Sequence, residues 1–282
     1  MSIGKFLRFV KYPAILLLVA VYTLPLMLIQ EIALRTGWWS DRIAPRLWHR
    51  LTLRLLGIRV HVRGGVMPER PLLIVANHVS WTDILVLGAL DGVHFVAKAE
   101  VRDWPVMGTF ARLQRSVFVE RERRRASPGQ VREIAARLAD GDPMVLFAEG
   151  TTGDGNRVLP FKTSLFGAAQ AALAALRSER VLVQPVAIAY MRRNGLLLDL
   201  RERADIAWIG DMALLPHLKI LLAAGTVDVE VCFGEPIPFS AGSDRKTVAR
   251  RAEKAVRAML VGALRRREAE TESDEGQKPA VF

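Results

Sequence analysis

Cys232 is the one cysteine in 282 residues. A lone thiol excludes an internal disulfide and any metal site built on several cysteines, and it gives no sign of an oxidising compartment. Cys232 lies in the alternating run Val227-Asp-Val-Glu-Val-Cys-Phe with no basic neighbour, so nothing there activates it as a nucleophile. The chain also lacks a Gly-x-Ser-x-Gly elbow, a His-Glu-x-x-His pair and a Walker loop, which removes the common serine-hydrolase, zinc-protease and nucleotide-cradle signatures. No internal repeat is visible. The length suits one sizeable domain plus appendages, able to bury a core without metal or disulfide support.

Acidic residues are the minority: 29 Asp and Glu face 40 Lys and Arg, for a net charge of +11 and a pI near 10.5. Such a chain prefers anionic partners, and nucleic acid and anionic lipid both qualify. The position of the charge decides between them. Lys5, Arg8 and Lys11 precede a charge-free stretch from Tyr12 to Ile29, and Arg35, Arg42, Arg46, Arg50 and Arg54 follow it. No nucleic-acid reader motif accompanies them. The expected partner is therefore an anionic membrane surface and not nucleic acid. Tyr12 to Ile29 is at the lower edge of the roughly 17 to 25 residues that span a bilayer. Pro13 and Pro25 interrupt it and both flanks are basic, so it reads as a weak span or a re-entrant hairpin. From Asp41 to Leu56, Ile43, Leu47, Trp48, Leu51 and Leu55 recur at helical spacing while arginines recur every four residues on another face. That is an interfacial pattern; an amphipathic helix packed on its own domain with a solvated basic face would show it too, but the neighbouring hydrophobic segment tips the balance towards the bilayer.

Beyond this segment short apolar runs alternate with helical stretches: Ile58 to Val62, Leu72 to Ala76, His94 to Ala97, Ser116 to Val119, Met144 to Ala148, Val181 to Tyr190 and Val227 to Phe233. The alternation predicts an α/β fold, a mostly parallel central sheet flanked by helices, behind an N-terminal membrane-associating helical segment. The expected boundaries are 1–57 for the membrane anchor, 58–266 for the α/β domain and 267–282 for a disordered tail. Ile206 to Ala224 reads as a core helix or a lipid-touching element.

The most informative stretch is Leu72-Leu-Ile-Val-Ala-Asn-His-Val-Ser-Trp-Thr-Asp83, an apolar strand that stops at Asn77-His78 and reaches a carboxylate five residues on. On an unbroken helix, positions five apart are rotated by about 140° net, so His78 and Asp83 meet only if the chain turns between them. Ser80 is a good N-cap for a helix starting there, which folds the strand end over the first helical turn. The pair then reads as a base beside its orienting acid. Ser80-Trp-Thr-Asp83 equally fits a capping box with Asp in the acidic position. A second strand, Val145-Leu-Phe-Ala-Glu149, ends in an acid and runs into Gly150-Thr-Thr-Gly-Asp-Gly. Ligands in open α/β sheets bind beyond the carboxyl ends of strands, so Glu149 and His78 are expected to face one crevice. Lys98 and Arg121 end two further strands and offer a point charge and a planar fork to a phosphate.

Taken in order, Asn77-His78-x4-Asp83, Lys98-x-Glu100 with Trp104-Pro105 and Gly108, Phe118-x-x-Arg121, Phe147-x-Glu149-Gly150-Thr151 and Val183-x-Pro185-Val186 resemble the motif series of glycerolipid acyltransferases. The resemblance covers roughly residues 58 to 240 and is narrowest to bacterial 1-acylglycerol-3-phosphate acyltransferases. It implies an acyltransferase domain in which His78 takes the proton of a lysophospholipid hydroxyl and Asp83 orients the imidazole. Lys98 and Arg121 would hold the phosphate, Glu149, Gly150 and Thr151 would shape the acceptor site, and Pro185 would set the loop beside it. It implies no metal and no cofactor, only acyl-CoA or an acyl carrier protein as co-substrate, and work at the cytoplasmic face of the inner membrane. Many members carry Arg after Glu-Gly-Thr, whereas this chain has Thr152, which removes a phosphate ligand. Ala207 to Leu218 also resembles a segment of relatives that acylate lyso-ornithine lipid, whose headgroup has no phosphate. Phosphatidic acid formation is the first expectation and lyso-ornithine acylation its alternative. A non-catalytic lipid-binding protein would leave His78, Asp83 and Glu149 unexplained.

Overall fold

The computed structural model describes residues 3–119, 128–167, 173, 180–210, 212–240, 242–270 and 280–281. In chain order the elements are α1 (Ile3–Thr36), α2 (Ile43–Leu56), β1 (Ile58–Arg63), β2 (Leu72–Ala76), α3 (Thr82–Leu90), β3 (His94–Lys98), a 3₁₀ turn (Ala99–Asp103), α4 (Met107–Leu113), β4 (Val117–Val119), α5 (Pro128–Ala139) and β5 (Met144–Phe147). They continue with β6 (Arg180–Arg193), β7 (Leu196–Leu197), α6 (Leu200–Ile206), α7 (Leu214–Ala224), β8 (Val227–Phe233), β9 (Ile237–Ser240), α8 (Arg245–Glu270) and β10 (Ala280–Val281).

β2 is apolar and buried at every position, as a strand covered on both faces must be. Its residues alternate between two cores: Leu73 and Val75 pack with Ile134, Phe166, Phe239 and Val256 on one face, and Leu72, Ile74 and Ala76 with Leu53, Val86, Phe147 and Tyr190 on the other. The strand order is β10-β1-β8-β6-β2-β5-β3-β4, with β7 and β9 also on β6. The pairs β1/β8, β2/β5, β2/β6, β3/β4 and β3/β5 are parallel, so the mixed α/β architecture expected from the alternating runs is present. β6 pairs in parallel with β2 but antiparallel with β8. Helix α8 runs to Glu270, into the stretch set apart as a tail.

The hairpin reading of the N-terminus does not hold, because α1 is one continuous helix of 34 residues through both Pro13 and Pro25. A proline costs a helix one backbone bond, and tertiary ties along the second half offset it. Trp48 Nε1 donates to Thr23 Oγ1 at 2.8 Å, Tyr22 Oη and Thr52 Oγ1 are 2.8 Å apart, and Gln30 Nε2 donates to the Asp41 and Leu113 carbonyls at 2.8 Å each. Leu17, Val21, Leu24 and Leu28 lie at helical spacing on the other side, exposed by 59 to 68%. Leu17–Thr36 is long and apolar enough to cross a membrane, with 17% of that window buried.

The arginine stripe of α2 is not simply a solvated face. Arg46 and Arg50 donate to the Ala89 carbonyl at 3.4 and 3.0 Å, cations satisfying an orphan acceptor at the C-terminus of α3. Arg42 meets Asp142 at 2.6 Å. The helix that follows the apolar segment is thus bolted to the α/β domain by the charges that suggested an interfacial role.

Candidate active site

The sheet hands over to the site through a side chain. β2 ends at Ala76, and the buried Asn77 carboxamide continues its ladder, donating to the Ile188 carbonyl at 3.0 Å and accepting from the Ile188 amide at 2.8 Å. The chain can therefore leave the sheet without stranding backbone groups on β6. It turns at once, and His78 Nδ1 comes within 2.8 Å of Asp83 Oδ2. Asp83 is fully buried. A carboxylate so placed must be saturated with donors: Oδ2 also accepts from the Val79 and Ser80 amides at 2.6 and 3.0 Å, and Oδ1 from the Tyr190 hydroxyl at 2.7 Å. Burial, then the Asp83 charge, raises the Tyr190 phenol well above its ordinary pKa, so it stays a donor. It also contacts Thr82 Oγ1 at 2.5 Å.

With Asp83 accepting at Nδ1, the proton sits on that nitrogen and the Nε2 lone pair is left for a substrate. The imidazole lies flat on Phe147, ring centroids 3.9 Å apart and planes 14° from parallel, with 14% of the side chain exposed. The expected helix start needs a correction. α3 begins at Thr82, and the buried Ser80 hydroxyl makes no cap bond. Only the reverse half of the box exists, Asp83 reaching back to the Ser80 amide. Capping and orienting are tasks of one carboxylate.

Glu149 is 2% exposed and accepts the His78 amide at 3.3 Å and the Leu159 amide at 3.0 Å. Burial pushes its carboxyl up to about 8, against those two donors and with the charges of Asp83 and Asp154 adding to the rise. At neutral pH it holds its proton and acts as a strut between two loops. Gly150 has φ of 70°, and a Cβ there would lie 2.8 Å from Lys162 Cδ, so glycine lets the Lys162 stem cross the loop.

A second layer closes over the turn. The Gly153 amide donates to the His78 carbonyl at 2.8 Å and the Trp208 amide to the Val79 carbonyl at 2.9 Å. The Thr152 hydroxyl donates to the Trp208 carbonyl. Trp81 Nε1 donates to His217 Nδ1 at 2.9 Å, and the other ring nitrogen bonds the Ile206 carbonyl at 3.0 Å. His217 is therefore a neutral Nε2–H tautomer, and its burial lowers its pKa.

The acyltransferase family model matches residues 57–189. The chain is 54% identical over 235 residues to the lyso-ornithine lipid O-acyltransferase of Brucella abortus, covering 83% of this chain and 87% of that protein. It belongs to the acyltransferase family. It is also 47% identical to the lyso-ornithine lipid O-acyltransferase of Rhizobium meliloti, across 89% of this chain and 86% of that protein. Identity to a 1-acyl-sn-glycerol-3-phosphate acyltransferase of Neisseria gonorrhoeae is 30%, across 70% and 73%. The crystal structure of the 1-acyl-sn-glycerophosphate acyltransferase PlsC from Thermotoga maritima shares the fold, with a TM-score of 0.58 at 19% identity over 96% of this chain and 100% of that one.

Within this acyltransferase His78, Asp83 and Glu149 converge, with Gly150 beside them and Thr151 exposed at the loop. Lys98 ends β3, two strands across the sheet, and its Nζ lies 2.6 Å from Glu100. Arg121 lies outside the described residues. Pro185 is not in a loop: it sits inside β6 opposite Val75 of β2, where its missing N–H spares the ladder because its carbonyl is the group used, by the Gly234 amide at 2.8 Å. Tyr190 and Lys162 had no part in the sequence reading of the site, and Asn77, Trp208 and His217 entered it only as members of resembling segments, without a role of their own. Tyr190 left a signal, a polar-tipped residue ending a buried apolar strand, which requires a partner for its hydroxyl.

Proposed function

We propose that this acyltransferase esterifies the free hydroxyl of a lyso-ornithine lipid, taking the acyl group from a thioester donor, acyl-CoA or an acyl carrier protein. The observation that carries the reading is the 54% identity to a protein of that activity, against 30% to one acting on the phosphate-bearing acceptor. The fate of Thr152 supports it, since its hydroxyl is spent on the Trp208 carbonyl and adds no charge for a phosphate. The phosphatidic acid reading, placed first on sequence alone, gives way to its alternative.

In this reaction His78 Nε2 accepts the hydroxyl proton as the oxygen attacks the thioester carbonyl carbon. The C–S bond breaks, and the departing thiolate takes the proton back from the imidazolium. Asp83 favours that imidazolium electrostatically and holds the tautomer. General base catalysis of this kind contributes about 10² to 10⁴-fold, and the thioester is activated enough to need no covalent enzyme intermediate. α1 would anchor the enzyme at the cytoplasmic face of the inner membrane. The test is a product assay with lyso-ornithine lipid and lysophosphatidic acid offered side by side to the purified full chain. Ornithine lipid should dominate; phosphatidic acid as the main product refutes the proposal.

A further inference from the structure

Trp104 and Trp208, far apart in sequence, meet with ring centroids 6.4 Å apart and planes inclined at 55°. Trp104 follows the 3₁₀ turn after β3 and is 46% exposed. Trp208 follows α6, is half-buried, and bonds through its amide to Val79, the residue after the catalytic histidine.

The Trp208 ring is anchored by its own hydrogen bond, and the Trp104 backbone by its turn. Trp208 uses its amide on Val79, its carbonyl on Thr152, its Nε1 on the Met212 carbonyl at 2.6 Å, and its ring face on His217, nearly parallel at 20°. Trp104 sits on a strained corner: Val106, a β-branched residue, has φ of 66°, an outlier that persists only where the surroundings enforce it. The Gly108 amide donates to the Trp104 carbonyl at 2.9 Å, and a Cβ on Gly108 would lie 2.1 Å from the Arg102 carbonyl oxygen. Two rigid indoles, partly open to solvent, offer electron-rich faces to a cation. Among the described residues, Arg102 lies over Phe118 at 4.9 Å, Lys98 pairs with Glu100, and Arg203 donates to the Tyr190 and Leu198 carbonyls at 3.0 and 2.9 Å.

We infer that Trp104 and Trp208 form the recognition site for the positively charged amine of the acceptor headgroup, with the Thr152 hydroxyl fixing Trp208 in place. The inference rests on the lyso-ornithine reading and adds to it the residues that select the headgroup. An ornithine headgroup presents a primary ammonium, whereas lysophosphatidic acid presents only negative charge. The indole pair discriminates between them by sign, and Thr152 acts as a positioning residue.

The experiment measures kcat and KM for the full chain in mixed vesicles, with lyso-ornithine lipid and with the same lipid acetylated on its side-chain amine. Trp104→Leu should raise KM for the first acceptor roughly two- to fivefold with kcat little changed, and Trp104→Tyr should retain most of the affinity. The acetylated acceptor should show the raised KM already in the unchanged enzyme and gain no further penalty in the leucine variant. Equal KM in Trp104→Leu, or an equal loss with both acceptors, overturns the inference; the latter makes the ring a membrane contact or simple packing. Because Trp104 is exposed, circular dichroism should show the leucine variant folded. An unchanged enzyme that ignores lyso-ornithine lipid sinks the functional reading together with this site, whereas turnover with unaltered KM sinks this site alone.

Discussion

Tyr190→Phe removes one oxygen from the interior and leaves the ring in place, so it isolates the bond between the phenol and Asp83. That bond is 2.7 Å long between two fully buried side chains. Hydrogen bonds to charged groups contribute about 1.5 to 3 kcal/mol, and a buried acceptor left without its donor costs as much. Phenylalanine fills the same volume, so no cavity cost is added. Thr82 loses its 2.5 Å contact as well, which places the expected destabilisation in the upper half of that range. Urea unfolding followed by tryptophan fluorescence should show an unfolding free energy lowered by about 2 to 3 kcal/mol, read as a lower midpoint at unchanged slope. Catalysis should fall too, because the looser carboxylate no longer holds the His78 tautomer as firmly. We expect kcat to drop on the order of tenfold, the rate equivalent of about 1.4 kcal/mol, with KM for the acceptor unchanged. A variant with wild-type midpoint and wild-type kcat would refute the claim that Tyr190 supports the catalytic pair.

His78→Ala should abolish acyl transfer, by at least 10²-fold, while the protein still binds anionic vesicles; full activity in this variant ends the general-base assignment. Asp83→Asn should lose stability as well as activity, because the amide carbonyl can replace Oδ2 towards the Val79 and Ser80 amides only by turning its NH2 on the Tyr190 hydroxyl that donates to Oδ1, and a melt at wild-type temperature would contradict that. Glu149→Gln should keep activity near pH 7, since the native carboxyl, raised by burial to about 8 from an ordinary 4.5, is already protonated there. The native protein loses stability as pH climbs from 4.5 to 8, and the glutamine variant should lose that slope in urea titrations. Asp142 works the other way. Burial pushes it up, but His94, Arg42 and Arg115 outweigh that and bring it to about 2 from 3.8. Its contribution of about 2 kcal/mol is complete above pH 3.8 and lost as pH falls towards 2, and Asp142→Asn should flatten this acid limb.

The parallel part of the sheet was legible in the sequence because buried strands such as Leu72 to Ala76 need continuous apolar runs, and at Asn77 and Glu149 a polar residue ends the run where the crevice begins. The pairing of His78 with Asp83 was legible for the same reason: the spacing forbids one helical face and so demands a turn. The roles of Lys162 and Trp208 were not, since they depend on which loop crosses which. A glycine such as Gly150 announces freedom, not the side chain that will occupy it. The partners of the α2 arginines were not legible either, because periodicity locates a face without saying what lies opposite, and Ala89 is more than thirty residues away. Pro185 misled because a proline suits the middle of a strand when only its carbonyl is asked to bond.

The amides of His78, Val79 and Ser80 all end on side-chain carboxyl groups, the first on Glu149 and the other two on Asp83. None of the three belongs to a helix or a strand ladder, so conventional secondary structure would not protect them from exchange with solvent. Their deuterium uptake is instead a readout of the two carboxyl groups. Deuterium should enter these three positions slowly while the network stands, and quickly once either acid is removed, even in protein with no acceptor or donor present. The turn at His78 thus carries its own reporter of integrity, readable by mass spectrometry without turnover.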